Sequence, residues 1–408
     1  MDLLRQVHDP RNQSYITYRQ DVLLVTRILS AVFYIESMRK ASAELNFEIA
    51  IENIGTLCGQ KLEELPYWET INQYLERVNP QELQEIIHKI VWRLIRSRAF
   101  EQARIQDKYW QIIIDGTRLH SSREPLDGHC LFKVHKKGTD EEYTEYYYYV
   151  LEAKIVLHNE ICVSIMTEFV ENTEEEANKQ DCELKACWRL MERLKKAFPR
   201  LPICISADSL YACEPFFRAC EEKKWKFLLR YKEGSIPSVY QEYLSLKPLQ
   251  SNLQEEETTR GKVWYDYVKD INYEGCLVNL IEYGESGKAY PFYFLTNLPV
   301  SKRNVKAMAS WGRRRWAIEN RGFNAQKRHG FNLEHLYSKN YNGFKCHYFL
   351  IQIGHMISQI MDAWKSLWKG ICLSLAQKHR RMLESWTNHS IREAMTQDPQ
   401  KFQIRFDE

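Results

Sequence analysis

The chain has 408 residues, of which 44% are hydrophobic and 27% charged, and its formal net charge is +3. These values are typical of a globular protein of two or three domains and exclude a mainly disordered one. The sequence shows neither a secretion signal nor a membrane-spanning stretch, and its 11 cysteines form no C-x-x-C pair. We therefore expect a cytoplasmic protein with reduced cysteines and no zinc or redox motif.

The N-terminal segment, residues 1–105, is predicted to be helical. Apolar residues recur at helical spacing through residues 21–40 and again from Leu83 to Leu94. Lys89, Arg93 and Arg96 share another side of the second of these helices. That stripe is compatible with phosphate contacts, but solvation of the helix is the better explanation for any single one of the three cations.

Residues 106–232 change to a pattern of short apolar runs, which indicates β-strands. Four such runs lie between residues 109 and 170. A helix is predicted over residues 182–198, where Pro199 ends it, and then a strand, a helix over 214–224 and a strand over 226–231. The order predicts an α/β domain with a sheet of mixed direction.

The remaining chain is divided by the same reasoning into three segments. Residues 233–300 read as a β-rich insertion, because strand-like runs alternate there with turn residues and the helical signal fades. Residues 301–360 are predicted to be helical and to continue the α/β domain. Residues 361–408 are predicted to form a helical C-terminal tail.

Two aspartates follow apolar strands in the same manner. Asp115 comes directly after Ile112–Ile114, and Asp208 ends the run from Ile203 to Ala207. Ligands of α/β sheets bind at the carboxyl ends of strands, and neighbouring strands would bring the two carboxylates together. A single aspartate in this position is more often a turn or capping residue, so the pair carries more weight than either alone.

A third acid, Glu319, stands alone in a basic stretch. Residues 301–330 contain nine lysines and arginines and no other acid. On an ideal helix Arg315 falls about 40° and Gln326 about 20° from Glu319, so the three are predicted to share one face. Without further context, a surface ion pair between Arg315 and Glu319 would be the simpler interpretation.

Three sequence blocks together resemble the DDE transposases of bacterial insertion sequences. They are IIIDGT at residues 112–117, the strand ending in Ala207-Asp208, and RRRWAIENRGFNAQK at residues 313–327. The likeness is greatest to the branch with a Tyr-Arg-Glu-Lys signature around the third acid and a β insertion before it. It covers roughly residues 109–348 and implies a ribonuclease H-like fold, which the order of strands and helices also suits.

The resemblance assigns roles to individual residues. Asp115, Asp208 and Glu319 match the catalytic triad, and Arg315 matches the signature arginine. The signature tyrosine would fall at Gly312, and the signature lysine at Gln326, with Lys327 beside it. DNA contacts are accordingly expected from Arg315, from Gln326 or Lys327, and from the neighbouring cations Arg313, Arg314, Arg321 and Arg328.

The resemblance also implies a chemistry and a set of partners. The three carboxylates would hold two Mg²⁺ ions, with Mn²⁺ as a possible substitute, for cleavage and joining of DNA. The partners would be the double-stranded transposon ends and the target DNA, bound by a homodimer that pairs two ends in the bacterial nucleoid. Residues 1–105 are given a possible role in binding DNA ends by position only. The sequence has neither a P-loop nor a G-x-G-x-x-G turn, so no nucleotide cofactor is expected.

Two other functions remain open at this point. The same three acids would serve a ribonuclease H-like DNA nuclease without strand transfer. The departures at Gly312 and Gln326 also leave open a transposase-derived protein that binds DNA without catalysis.

Overall fold

The computed structural model describes residues 1–158, 161–172, 181–259 and 261–392. The N-terminal segment is helical, as predicted, although its helices are shorter and more numerous than the two periodic stretches indicate. The last part of the predicted C-terminal tail, residues 393–408, lies outside the described residues. The N-terminal helices are α1 (Asp2–Arg5), α2 (Gln20–Val32), α3 (Met38–Glu44), α4 (Glu48–Cys58), α5 (Trp68–Leu75) and α6 (Pro80–Arg96), with 3-10 turns at Gln13–Tyr15 and Glu101–Ala103.

The first part of the α/β domain follows the predicted order of four strands, helix, strand, helix and strand. The helix predicted over 182–198 is observed as Glu183–Ala197, and its end coincides with the chain turning at Pro199. The elements are β1 (Trp110–Ser122), β2 (Leu131–His135), β3 (Tyr143–His158), β4 (Ile161–Val170), α7 (Glu183–Ala197), β5 (Ile203–Ser206), α8 (Glu214–Glu222) and β6 (Lys226–Tyr231).

The insertion is confirmed as β-rich, with one correction. Residues Pro237–Gln250 form a helix, α9, which the sequence did not predict. Proline at the start of a helix suits its first turn. The strands that follow are β7 (Gln254–Thr258), β8 (Gly261–Tyr273), β9 (Cys276–Glu285) and β10 (Phe292–Thr296).

The strands of the described residues form one continuous sheet. Its order is β2-β3-β1-β5-β6-β10-β9-β8-β7, and β4 pairs with β3. β1, β5 and β6 run parallel to one another, whereas β10 is antiparallel to β6 and joins the insertion to the sheet. The insertion therefore extends the central sheet, and the fold is the predicted mixed α/β, ribonuclease H-like architecture.

The segment predicted to be one helix over residues 311–327 is broken. α10 (Val305–Arg313) ends in a turn, a π-helical turn occupies Ile318–Phe323, and α11 (Asn324–Arg328) follows. Beyond it lie α12 (Tyr341–Ala363), a 3-10 turn at Lys365–Trp368 and α13 (Leu375–Asn388).

Helix α12 is the central helix of the packing because it is buried along nearly its whole length. A helix that is apolar on all sides belongs in the interior of a protein. It packs against α2, α5, α6 and β4, so the N-terminal helices share one core with the α/β domain. No helix within the described ranges has the length and apolar character needed to cross a bilayer.

Close approach of α2 and α12 depends on Gly354. A Cβ added there would lie 2.8 Å from Ala31 Cβ and 3.2 Å from the carbonyl oxygen of Ile28. We expect Gly354→Val to lower the free energy of unfolding by about 1–3 kcal/mol, because a larger residue in a close-packed interface strains its neighbours. The measurement is the thermal unfolding midpoint of the full chain.

Gly128 provides the matched control for this substitution. It is exposed, and a Cβ there would meet nothing within 4 Å. Gly128→Val should change stability by no more than about 0.5 kcal/mol. Equal unfolding midpoints for the two variants would show that the packing of α2 against α12 does not depend on a glycine at position 354.

Candidate active site

The two aspartates lie side by side at one edge of the parallel strands. β1 and β5 pair from Trp110 with Ile203 through Ile113 with Ser206. Asp115 and Asp208 each lie two residues beyond that last pair, in the same register. The electrostatic influence of Asp208 on the Asp115 carboxyl is in line with this proximity.

The position of Asp115 differs from the sequence expectation in one respect. Asp115 does not end its strand, since β1 continues to Ser122 as the partner of β3, with Asp115 opposite Glu152. What ends after Ile113 is the pairing with β5. Asp115 therefore lies where β1 loses a neighbouring strand, and the gap gives its carboxylate room for a ligand.

Asp208 takes the position that the sequence indicated. It lies two residues after the end of β5 and caps the 3-10 turn Ser209–Tyr211, because its Oδ1 accepts a hydrogen bond of 2.9 Å from the Leu210 N–H. The capping role that was the simpler reading of this residue is thus real. The second carboxylate oxygen is not needed for the cap.

Burial raises the pKa of the Asp115 carboxyl to about 6. The negative charges of Asp208 and Glu183 act in the same direction, whereas the Arg315 guanidinium and the Gly116 N–H act in the opposite direction. The Gly116 N–H donates a hydrogen bond of 3.0 Å to Asp115 Oδ1. The surroundings of the Asp115 carboxyl therefore disfavour its charged form, and Arg315 only partly opposes this effect.

Arg315 contacts the first aspartate directly. Its Nη1 lies 3.2 Å from Asp115 Oδ2, and only 15% of the arginine side chain is exposed. The contact joins positions 200 residues apart in the sequence. It brings the segment with the third acid against β1, next to the aspartate pair.

The π-helical turn that carries Glu319 is fixed to the sheet by its apolar residues. Ile318 and Phe323 pack with Ile113, Val156 and Cys162 in one buried cluster. Glu319 itself is exposed. The turn thus lies on the face of β1 from which the Ile113 side chain projects, and side chains two apart on a strand share a face, so Asp115 is on it as well.

The structure brings together Asp115 and Asp208 but does not gather Glu319 with them. Within the described ranges, no group of three or more His, Cys, Asp or Glu side chains is arranged to hold a metal ion. The Asp115 carboxylate is instead paired with Arg315, whose Nη1 lies 3.2 Å from its Oδ2. The sequence expectation of three converged carboxylates is therefore not met in this conformation.

The prediction that Gln326 faces DNA is wrong. Its side chain is fully buried, and its Nε2 lies 2.7 Å from Gln352 Oε1 and 3.1 Å from His355 Nδ1. The predicted common face assumed a uniform α-helix. A π turn closes over one more residue than an α turn, which moves every later side chain back by about 100°.

The same change of winding alters the position of Lys327. With one residue absorbed by the π turn, Lys327 takes the helical phase relative to Glu319 that Gln326 would have on a uniform helix. Its Nζ makes an ion pair of 2.9 Å with Glu334 Oε1. Lys327, not Gln326, therefore has the side-chain phase that the sequence resemblance leads us to expect of the signature lysine.

The structure also accounts for Gly312 in place of the signature tyrosine. A Cβ at this position would lie 2.5 Å from the ring of Phe294 on β10. No side chain fits there while Phe294 keeps its place. Any contact that the tyrosine makes in similar proteins must come from another residue in this chain.

The remaining predicted DNA-binding arginines fall into two groups. Arg313 contacts Glu285 and the Tyr283 hydroxyl, and Arg314 donates to the Ala103 carbonyl oxygen at 3.3 Å. Arg321 and Arg328 are exposed. Arg321 and Arg328 are thus accessible to a ligand, whereas Arg313 and Arg314 also contribute to packing.

A fourth carboxylate near the site escaped the sequence reasoning. Glu183, in the first turn of α7, accepts hydrogen bonds from the hydroxyls of Tyr149 at 2.6 Å and Tyr211 at 2.7 Å. Gly116 makes room for this group, since a Cβ there would lie 2.1 Å from the Tyr149 hydroxyl. An acid in the first helical turn is so common that the sequence alone gave no signal of this role.

The comparisons with known proteins agree with this architecture. The family model of the transposase DDE domain matches residues 106–357, which is more than half of the 408-residue chain. A comparison with curated proteins found no match. The matched region contains both aspartates, the insertion, the π turn and most of α12. The chain therefore belongs to the transposase DDE domain family.

Proposed function

We propose that this transposase cleaves DNA at the ends of a mobile element and joins the released ends to target DNA. Asp115 and Asp208 would act as metal ligands and Glu319 as the third carboxylate. The observation that carries the proposal is the pair of aspartates at the diverging edge of β1 and β5, with Arg315 in contact with one of them.

The aspartate pair is suited to a divalent cation. Its donors are carboxylate oxygens, which Mg²⁺ and Mn²⁺ prefer, and Asp208 and Glu183 place further negative charge near Asp115 that a cation would offset. Two such ions, when bound, would activate the attacking oxygen and stabilise the leaving oxygen of the phosphodiester. Asp115 and Asp208 would hold them, together with Glu319 once its carboxylate joins the pair.

Arg315 would change partner when DNA binds. In the structure its guanidinium neutralises Asp115, but the same group binds a phosphate through paired N–H donors. A substrate phosphate that draws Arg315 away would free the Asp115 oxygen. Glu319 lies four residues along the same segment and would then have room to approach.

Other residues would hold the DNA around the scissile bond. Lys327 has the phase of the signature lysine, and Arg321 and Arg328 are exposed beside it. Each would contact backbone phosphates without reading the sequence. Recognition of the element ends is assigned to the N-terminal helices, and pairing of two ends to a homodimer.

Replacement of either aspartate by asparagine is expected to abolish cleavage of end-containing DNA in Mg²⁺. The substitution removes a charged metal ligand but keeps the side-chain shape, and asparagine also preserves the cap at position 208. DNA affinity measured without metal should stay close to that of the wild type. A matched control is Asp140→Asn in an exposed hairpin, which should leave cleavage unchanged.

Three results would contradict this assignment. Cleavage that survives in both Asp115→Asn and Asp208→Asn would remove the pair from the chemistry. A wild-type protein that binds end-containing DNA but never cleaves it would instead favour the transposase-derived DNA-binding protein. Loss of the thermal unfolding transition in the variants would assign the aspartates to folding.

A precut element end with a free 3′-hydroxyl should become covalently joined to a supercoiled plasmid. The expected product is a branched or linearised plasmid that carries the labelled end, formed only when Asp115 and Asp208 are intact. Gel electrophoresis of the labelled DNA measures it. Nicked plasmid without joined label would instead identify a nuclease that lacks strand transfer.

Lys327→Ala is expected to weaken binding of end DNA and to reduce the slope of log affinity against log salt by about 0.9, the value for one lost phosphate contact. Lys327→Arg should retain most of the binding. Lys339→Ala, at an exposed lysine, serves as the control. An unchanged salt slope in Lys327→Ala would leave Lys327 as the ion-pair partner of Glu334 only.

A further inference from the structure

A basic groove lies at the edge of the sheet opposite the aspartates. It has a volume of about 850 Å³ and is lined by the residues that immediately precede three strands, namely Tyr109 before β1, Pro202 before β5 and Trp225 before β6. Asp115 lies further along β1, and Asp208 lies beyond the other end of β5. The six residues from Pro202 to Asp208 span about 20 Å at 3.3 Å per residue, so the groove is separate from the candidate active site.

The charge of this groove is strongly one-sided. Glu221 is the acid that lines it, against the cations Lys108, Lys195, Arg200, Lys223, Lys224 and Lys226. They come from three separate parts of the chain, before β1, at the end of α7 and between α8 and β6. A concave surface with this density of one charge attracts and concentrates polyanions.

Three of these cations have a role in the fold. Lys195 Nζ donates to the carbonyl oxygens of Pro199 at 2.9 Å and Lys223 at 3.2 Å, and Lys226 Nζ donates to that of Asn297 at 3.2 Å. Lys223 pairs with Glu192. Lysines near the ends of helices commonly satisfy carbonyl groups in this way, so these three do not by themselves indicate a ligand.

Within the described residues, the other three cations make no such contact with a carbonyl oxygen or a carboxylate, and Lys108 Nζ lies 5.1 Å from the centre of the Tyr109 ring. Lys108, Arg200 and Lys224 are exposed, and within the described part of the chain none of them makes an ion pair. Cations in the last turn of a helix interact with its unpaired carbonyl groups, which explains cations at the ends of α7 and α8. Arg200 and Lys224 lie beyond those ends. Like charges held together at a groove repel one another unless an anion is bound between them.

We propose that this groove, defined by Lys108, Arg200 and Lys224, is a second DNA-binding surface that holds duplex DNA through its phosphates without regard to sequence. The inference rests on the proposed function. Lysine acts as a point charge, and the lining offers cations rather than a helix or strand edge that would enter a DNA groove.

The test uses Arg200→Ala combined with Lys224→Ala in the full chain. Binding is measured by fluorescence anisotropy, without metal, on two labelled duplexes of unrelated sequence that lack the element ends. We expect weaker binding to both duplexes by the same factor, and a salt slope reduced by about 1.8 for two lost phosphate contacts. The charge-matched control is Lys137→Ala combined with Lys288→Ala, at two exposed lysines outside the groove and outside the N-terminal helices.

Failure of this inference can be distinguished from failure of the proposed function. If the wild type cleaves and binds end DNA while the groove variant and the control bind the unrelated duplexes equally, the groove inference is overturned and the proposed function stands. If inorganic phosphate raises the unfolding midpoint of the wild type but not of the groove variant, with unchanged DNA affinity, the groove binds small anions and the inference is again overturned. Both variants should unfold at the wild-type midpoint, since all four side chains are exposed.

Discussion

The arrangement of the candidate site depends on a buried polar contact between β3 and α12. Lys154 on β3 is fully buried, and its Nζ donates to Gln352 Oε1 at 2.9 Å and lies 3.8 Å from Glu152 Oε1. Burial lowers the pKa of Lys154, and the Glu152 charge opposes this shift. Removal of one partner would leave an uncompensated buried charge, which is far more destabilising than loss of an exposed pair.

This contact also determines where the π turn lies. Gly322 lets the turn approach Lys154, since a Cβ there would lie 2.9 Å from Lys154 Cε, and the Phe323 ring lies near the ammonium group. Gln352 also accepts the hydrogen bond from Gln326. The buried polar group thus contacts the last residues of the turn and, through Gln352, the helix that follows it. An extra residue in the turn is accommodated by a change of winding instead of a shift of these contacts.

Much of the fold and half of the site could be predicted from the sequence because their signals are local. Apolar runs followed by an acid identified β1, β5 and the two aspartates without knowledge of their neighbours. Glu319 was found through its isolation among cations. Helix α9 was missed because only Val239 and Tyr243 are buried in it, which makes its apolar face narrow.

The features that the sequence predicted wrongly or did not reveal share a different physical cause. Each of them depends on contacts between segments that are distant in the chain. The burial of Gln326 requires α12, and the π turn requires Lys154 on β3. The Asp115–Arg315 pair joins two segments of the DDE domain that are distant in sequence. The basic groove collects cations from three separated segments, none of which is unusually basic by itself.

The central sheet separates two surfaces that would need different chemistry. At the edge with Asp115 and Asp208, the carboxylates would repel DNA. A phosphate would approach closely there only when cations or Arg315 offset the carboxylate charge. At the opposite edge, the cations attract phosphate without any such condition. A protein that must retain one duplex while it acts on another benefits from this separation, because the surface that only holds DNA remains occupied while the carboxylate edge exchanges its partners.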